Sequence, residues 1–190
     1  EAVLPHLGIA FERQNYLFNL LGEDHQFTFS MDTGKITFNN RLSFKAQILG
    51  TESHYDESWL WGWANDASNI PPPLLQAGNK IKDYGQKYQI DLLIQSQFNL
   101  DEFHNVHLIG MFSSGLFRAN AYYSIPYEGG ALFVLIKDTT FPANSTDPLQ
   151  NIAMTFPQLI SNLTLHKHSL DFEYYAKAHD ISISSQSAET

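Results

Sequence analysis

Three tryptophans at two-residue spacing, in Trp59-Leu60-Trp61-Gly62-Trp63-Ala64, restrict this chain more than any other stretch. An extended strand sends alternate side chains to opposite faces, so the indoles line up on one face and Leu60, Gly62 and Ala64 on the other. Such a strand needs either a deep core beneath it or a flat or sugar-like ligand that stacks on its indoles. The spacing allows both, and Gly62 marks a close approach by another element in either case.

The same period begins earlier. Phe27, Phe29 and Met31 alternate with polar residues, Asp32-Thr33-Gly34-Lys35 turns the chain, and Ile36 and Phe38 continue beyond it. Asn39-Asn40 supplies a second turn before Leu42, Phe44, Ala46 and Ile48. With a loop over 51–57, this predicts four consecutive strands in an antiparallel meander. Leu4, Leu7, Phe11, Phe18 and Leu21 recur at helical spacing ahead of it, predicting a helix over 2–21 that stops at Gly22.

Pro71-Pro72-Pro73 fits the first turn of a further helix, with Leu74, Leu75, Ile81 and Tyr84 on its buried face. Another helix is predicted from Leu100 to about Phe112, with Asp101-Glu102 at its positive end. Phe117 to Ser124 and Ala131 to Lys137 read as a hairpin turning at Glu128-Gly129-Gly130, its second strand apolar on both faces and so central. Helices over 147–163, kinked or split at Pro157, and over 169–179 follow, and the polar last ten residues are expected to fray. The predicted class is α+β: an antiparallel sheet of about six strands, meander plus hairpin, covered by helices mainly on one side. We expect a single domain over 1–190, in which proline-led helices after each sheet segment hint at related halves, about 1–95 and 96–190.

A net charge of −9 with eleven Lys plus Arg and no basic run argues against nucleic acid and against an anionic membrane surface, and favours a basic protein partner. The absence of cysteine removes disulfides, thiolate nucleophiles and Cys-based zinc sites, and suits a reducing, cytoplasmic compartment. The longest apolar run, Ala131 to Ile136, is far too short to span a membrane. Glu12 and Arg13 make the first helix unlike a signal peptide, and a start at Glu1 rather than Met is compatible with removal of an upstream segment.

Gln47-Ile48-Leu49-Gly50-Thr51, then Trp59-Leu60-Trp61-Gly62-Trp63-Ala64-Asn65, then a proline-led helix ending near Tyr84-Gly85, together resemble a bacterial family of uncharacterised domains. Its members carry a strand reading W-x-W-x-W-A-N after a short glycine-marked strand. The resemblance covers roughly residues 25–95, and Gly62 departs mildly from the small or aliphatic residue usual there. It implies a compact bacterial domain with no assigned reaction, so no catalytic residue carries over.

Asn65-Asp66 closes the tryptophan strand, either as a turn and helix cap or as polar contacts for a ligand on the indoles. The ligand-binding candidates are therefore Trp61, Trp63, Asn65 and Asp66, with Trp63, nearest the strand end, the indole expected to touch solvent or ligand. His104 and His107 stand at helical spacing near Asp101 without a third metal ligand, so no metal site and no cofactor is expected. His166 and His168 read as a loop, and His54, Asp56 and Glu57 as a charged loop in which an acid–base pair is conceivable. Catalytic fingerprints with glycine-serine elbows or phosphate-cradling loops do not occur. The sequence points to a binding or protein-interaction module with an aromatic-lined cleft beside the tryptophan strand. The alternative is a small-molecule enzyme using His and carboxylate groups near that cleft.

Overall fold

The computed structural model describes residues 4–101, 105–162 and 168–183. Its fold is α+β, built on one antiparallel sheet of seven strands. After helix α1 (Leu7–Leu21), strands β1 (Phe27–Ser30), β2 (Lys35–Phe38), β3 (Leu42–Ser53) and β4 (Ser58–Trp61) run as the predicted meander. Helices α2 (Gln76–Tyr88) and α3 (Asp91–Ile94) then lead to a short fifth strand, β5 (Gln97–Asn99), which pairs with β4. Helix α4 (Val106–Phe117) precedes the hairpin β6 (Ala121–Tyr127) and β7 (Gly130–Ile136). β7 pairs with both β6 and β3, which is the central position its unbroken apolar sequence demands. Helices α5 (Pro148–Asn162) and α6 (His168–Ala178) close the described chain, and α5 continues through Pro157. Of the last ten residues, expected to fray, Ile181 is held by its N–H on the Ala176 carbonyl at 3.0 Å, and 184–190 lie outside the described residues.

Several boundaries differ from the sequence reading: β3 runs on to Ser53, into the predicted loop over 51–57, and three others have a local cause. β5 falls in a stretch for which the sequence predicts no element, because Phe98 is buried beside Trp59 and brings an edge strand with it. The helix predicted from Leu100 begins instead at Val106, where the Asn105 side chain accepts the His107 N–H at 2.8 Å. It also outlasts its predicted end by one turn, since the small Ser113-Ser114-Gly115 step lets the backbone of His6 lie directly against it.

The sheet separates two cores. Phe133 and Leu135 of β7 point to one face, with Trp59, Trp61, Ala77, Ile81 and Phe112; Val134 and Ile136 point to the other, with Leu17, Ile36, Phe38, Phe44 and Tyr123. A bulge at Leu49 shifts the register of β3 against β7, so Phe44, Ala46 and Ile48 serve the second core and Leu49 the first. Gly50 follows the bulge under the Trp59 indole. A Cβ there would lie 2.5 Å from Trp59 Cζ2 and 2.6 Å from the Leu60 carbonyl oxygen, so only glycine permits this closeness.

α1 serves both cores because it crosses the β6 edge. Leu7 and Ala10 join the first core, Leu17 and Leu21 the second. Between them the buried Gln14 donates from Nε2 to the Tyr122 carbonyl and accepts the Tyr122 N–H at Oε1, both at 3.1 Å. One amide thus occupies both backbone groups that an edge strand would offer to another chain. Gln14→Ala is expected to destabilise by about 2–3 kcal/mol, because it leaves a buried N–H and C=O unpaired. Denaturant unfolding measures the loss; a change under about 0.5 kcal/mol would show that water replaces the amide. No helix among the described residues is long and apolar enough to cross a membrane.

Candidate functional site

The tryptophan strand divides its indoles between core and rim. Trp59 and Trp61 are both 0% exposed, their rings meet edge-on with centroids 5.4 Å apart, and Trp59 also packs on Phe133. Trp61 Nε1 donates to the Leu92 carbonyl at 3.0 Å, tying β4 to α3. The strand then ends earlier than its period predicts. Residues Gly62–Ala64 form a 3-10 turn, closed by the Asn65 N–H on the Gly62 carbonyl at 3.2 Å. Gly62 itself sits within close range of Ile48 and Leu75, which is the approach its missing side chain allows.

Trp63 therefore leaves the turn rather than the strand, half-buried, with Lys82 Nζ of α2 3.9 Å from its ring centroid. Asn65 accepts the Ser68 N–H on its side-chain oxygen at 3.2 Å and caps the following turn, where Asp66 is exposed. The four sequence candidates do not share one surface. Trp61 is inside the core, Asn65 is engaged as a cap, and Trp63 and Asp66 retain outward surface.

The other sequence candidates are also held by neighbours. His107 Nδ1 shares a hydrogen bond with the Tyr122 hydroxyl at 3.1 Å, and burial pushes that phenol up to about 12. His54 lies 3.6 Å from Glu52 at the exposed hairpin end, while hydrogen bonds from Ser53 and Ser58 hold the Asp56 carboxyl below its usual range. His104 and His166 lie outside the described residues. Among the described residues no three His or carboxylate groups come together as a metal site.

Two clusters escaped the sequence reading. The first is buried between α1 and α6: Glu12 Oε2 accepts from the Tyr175 hydroxyl at 2.5 Å and contacts His179 Nε2 at 2.6 Å. Burial, then the bond to Glu12, raises the Tyr175 phenol far above the ordinary range. The signal was a charged residue on the apolar face of a helix, which needs a partner when buried.

The second is a recess of about 200 Å³ between α2 and the end of α4. Ile81, Tyr84, Leu116 and Phe117 give it apolar lining, and Lys80, Arg118 and Lys137 charged lining. Arg118 takes the left-handed conformation that ends α4, at φ 54°. Lys137 Nζ donates to the Phe117 carbonyl at 2.7 Å and lies 4.2 Å from that ring's centroid, with Lys80 Nζ at 5.5 Å. Partial burial, then repulsion from Lys80, Arg118 and Arg13, holds the Lys137 ammonium below the usual lysine range. Arg13 is anchored nearby through its guanidinium on the Ala119 carbonyl at 3.0 Å. Among the described residues no carboxylate pairs with Lys80, Arg118 or Lys137. Four of the chain's eleven Lys and Arg thus influence one place on an acidic protein. Positions 13, 80, 118 and 137 are too far apart in sequence for any local pattern to reveal them.

No curated protein and no solved structure matches this chain. One family of unknown function, DUF6882, does match, over residues 2–139, which span α1, the whole sheet and the recess. The chain belongs to that family, DUF6882.

Proposed function

We propose that this protein is a binding module whose ligand carries an acidic group into the recess between α2 and α4. One observation carries the reading: three cations without carboxylate partners among the described residues surround a concave, partly aromatic site on a chain of net charge −9. Unpaired cations that face one another raise their own electrostatic energy, and an anion between them removes that cost. Small-ligand sites commonly combine apolar walls with a few convergent charges in this way. The module works without a cofactor, and the ligand is a small molecule or a group on a protein partner. We place it in the cytoplasm of a bacterium, since a cysteine-free chain suits a reducing compartment and the tryptophan motif resembles bacterial domains.

α2 has a second flank, and a second reading belongs to it. Trp63 and Asp66, beside Asn65, keep exposed surface there and offer an aromatic and a charge to a partner protein. A ligand reaching the Trp63 ring first displaces Lys82 from it. An enzyme that uses His and carboxylate groups finds a buried pair in His179 and Glu12 and an exposed one in His54 and Glu52, yet Glu12 Oε2 already takes two internal contacts between α1 and α6.

Titrating isotope-labelled protein with phenylacetate, at low salt, tests the proposal. Amide shifts are expected to cluster at residues 80–84, 116–118 and 137, and to weaken at least about threefold in Lys80→Gln, a loss of about 0.7 kcal/mol typical of an exposed charge contact. Shifts confined to residues 61–66 would move the site to the tryptophan flank, and no shifts would remove the recess reading.

A further inference from the structure

Positive charge in the recess exceeds what a single carboxylate balances. An ordinary structural account exists for cations at this place: α4 ends here, and a helix C-terminus carries about half a negative charge. That end is already satisfied. The Arg118 N–H takes the Gly115 carbonyl at 3.1 Å, the Ala119 N–H takes that of Ser114 at 2.8 Å, and Lys137 Nζ takes that of Phe117. One ammonium serves the helix, which leaves the Lys80 ammonium and the Arg118 guanidinium in surplus.

Size narrows the ligand further. Pockets that enclose a drug-sized molecule run from about 300 to 1,000 Å³, so about 200 Å³ admits an end group and the start of its stem and does not enclose a whole nucleotide. Ile81, Tyr84 and Phe117 suit a ring or short hydrocarbon stem, and the Lys80 and Lys137 ammoniums lie over the Phe117 ring. A guanidinium presents a planar fork to two oxygens, and ammoniums add point charge around it.

We propose that the recess binds a phosphomonoester dianion carried on a ring or short apolar stem. Arg118 grips two phosphoryl oxygens, Lys80 neutralises the second charge, and Tyr84 and Phe117 receive the stem. This rests on the anion-binding reading of the same recess and adds the phosphoryl group and the stem to it. A phosphorylated side chain of a partner protein and a small phosphorylated metabolite present this same end group.

Calorimetric titration of the whole chain at low salt, with phenyl phosphate, phenylacetate, inorganic phosphate and a phosphotyrosine peptide as probes, tests it. Phenyl phosphate is expected to bind at least about tenfold tighter than phenylacetate or inorganic phosphate at pH ~7.5, where it is a dianion. Its advantage over phenylacetate should shrink below pH ~6, as the phosphoryl group takes up a proton. Lys80→Gln and Arg118→Gln alter exposed side chains, so both variants are expected to keep the parent's melting temperature while binding phenyl phosphate at least about fivefold more weakly. A peptide that binds tighter than phenyl phosphate places the group on a protein, and a weaker one places it on a small molecule. Equal binding of phenylacetate overturns the phosphoryl inference while the anion site stands. Equal binding of inorganic phosphate overturns the stem, and no binding by any probe overturns both this inference and the reading beneath it.

Discussion

Trp61→Ala is expected to cost about 4–5 kcal/mol, more than the same change at Trp59 or Trp63, because it both empties a tryptophan-sized core volume and breaks a hydrogen bond. Trp61 is 0% exposed and lies edge-on to Trp59, and its Nε1–H is the bond that holds the Leu92 carbonyl of α3. Trp59 is equally buried, but its Nε1–H has no acceptor among the described residues. Removing Trp59 therefore also removes an unsatisfied donor, which brings its cost to about 3–4 kcal/mol. Trp63 is half-buried beyond the strand, and losing it forfeits partial burial and the Lys82 contact, about 1–2 kcal/mol. Since whole domains are stable by only about 5–15 kcal/mol, Trp61→Ala would leave a chain that is marginal at room temperature. Denaturant midpoints of the three variants measure this order. If Trp63→Ala were the most destabilising, the tryptophan strand would not form the core described here, and a ligand surface at its end would lose its support.

What the sequence disclosed about this strand follows from which forces are local. Alternation from Phe27 to Trp61 fixed the meander because a two-residue period has one extended solution with a buried face. The same logic carried too far at Trp63, since a 3-10 turn also accepts small residues such as Gly62 and Ala64, and only the contacts with Ile48 and Leu75 decide between them. β5 was invisible because three residues, Gln97-Phe98-Asn99, are too few to show any period. The late start of α4 was legible in principle: Asn105 is a strong cap, but the apolar Leu100 and the acidic pair after it offered an equally good beginning. The recess was not legible at all. Its cations come from α2, the end of α4 and the end of β7, joined only when β7 pairs beside β6 and α4 lies across it. Net charge averages over the surface, so a chain of −9 conceals a local excess of the opposite sign. For the same reason the expectation of a basic partner, drawn from the whole chain, says nothing about this one site.

Glu12→Ala is expected to cost about 3 kcal/mol and to loosen the C-terminal helices more than the sheet. α5 and α6 lie beyond residues 2–139, the span shared with the family, and their apolar contact is a separate small cluster of Ile152, Tyr175 and Ala176 against Ile9, Phe156 and Phe172. That cluster is small beside the two sheet cores, and the hydrogen bonds to Glu12 add to its burial at the contact between α1 and α6. Alanine at position 12 takes the acceptor from the partly buried His179 ring and leaves the Tyr175 hydroxyl with Thr155 as its remaining partner. Unpaired polar groups in such a site cost more than the bonds were worth, so α6 is expected to open locally before the sheet unfolds. Hydrogen exchange reads this directly. Amides of residues 168–178 should exchange at least about tenfold faster in Glu12→Ala, while those of β3 and β7 change only with global stability. Glu12→Gln keeps the shape and an acceptor for Tyr175, and should give a smaller, intermediate effect. A double-mutant cycle with His179→Ala then isolates the pair, with a coupling of about 1–2 kcal/mol expected for two partly buried groups in contact. If exchange in α6 were unchanged in Glu12→Ala, or rose only in step with that of β7, α6 would be part of the same cooperative unit as the sheet, and Glu12 would be one core contact among many rather than the fastening of a separable segment.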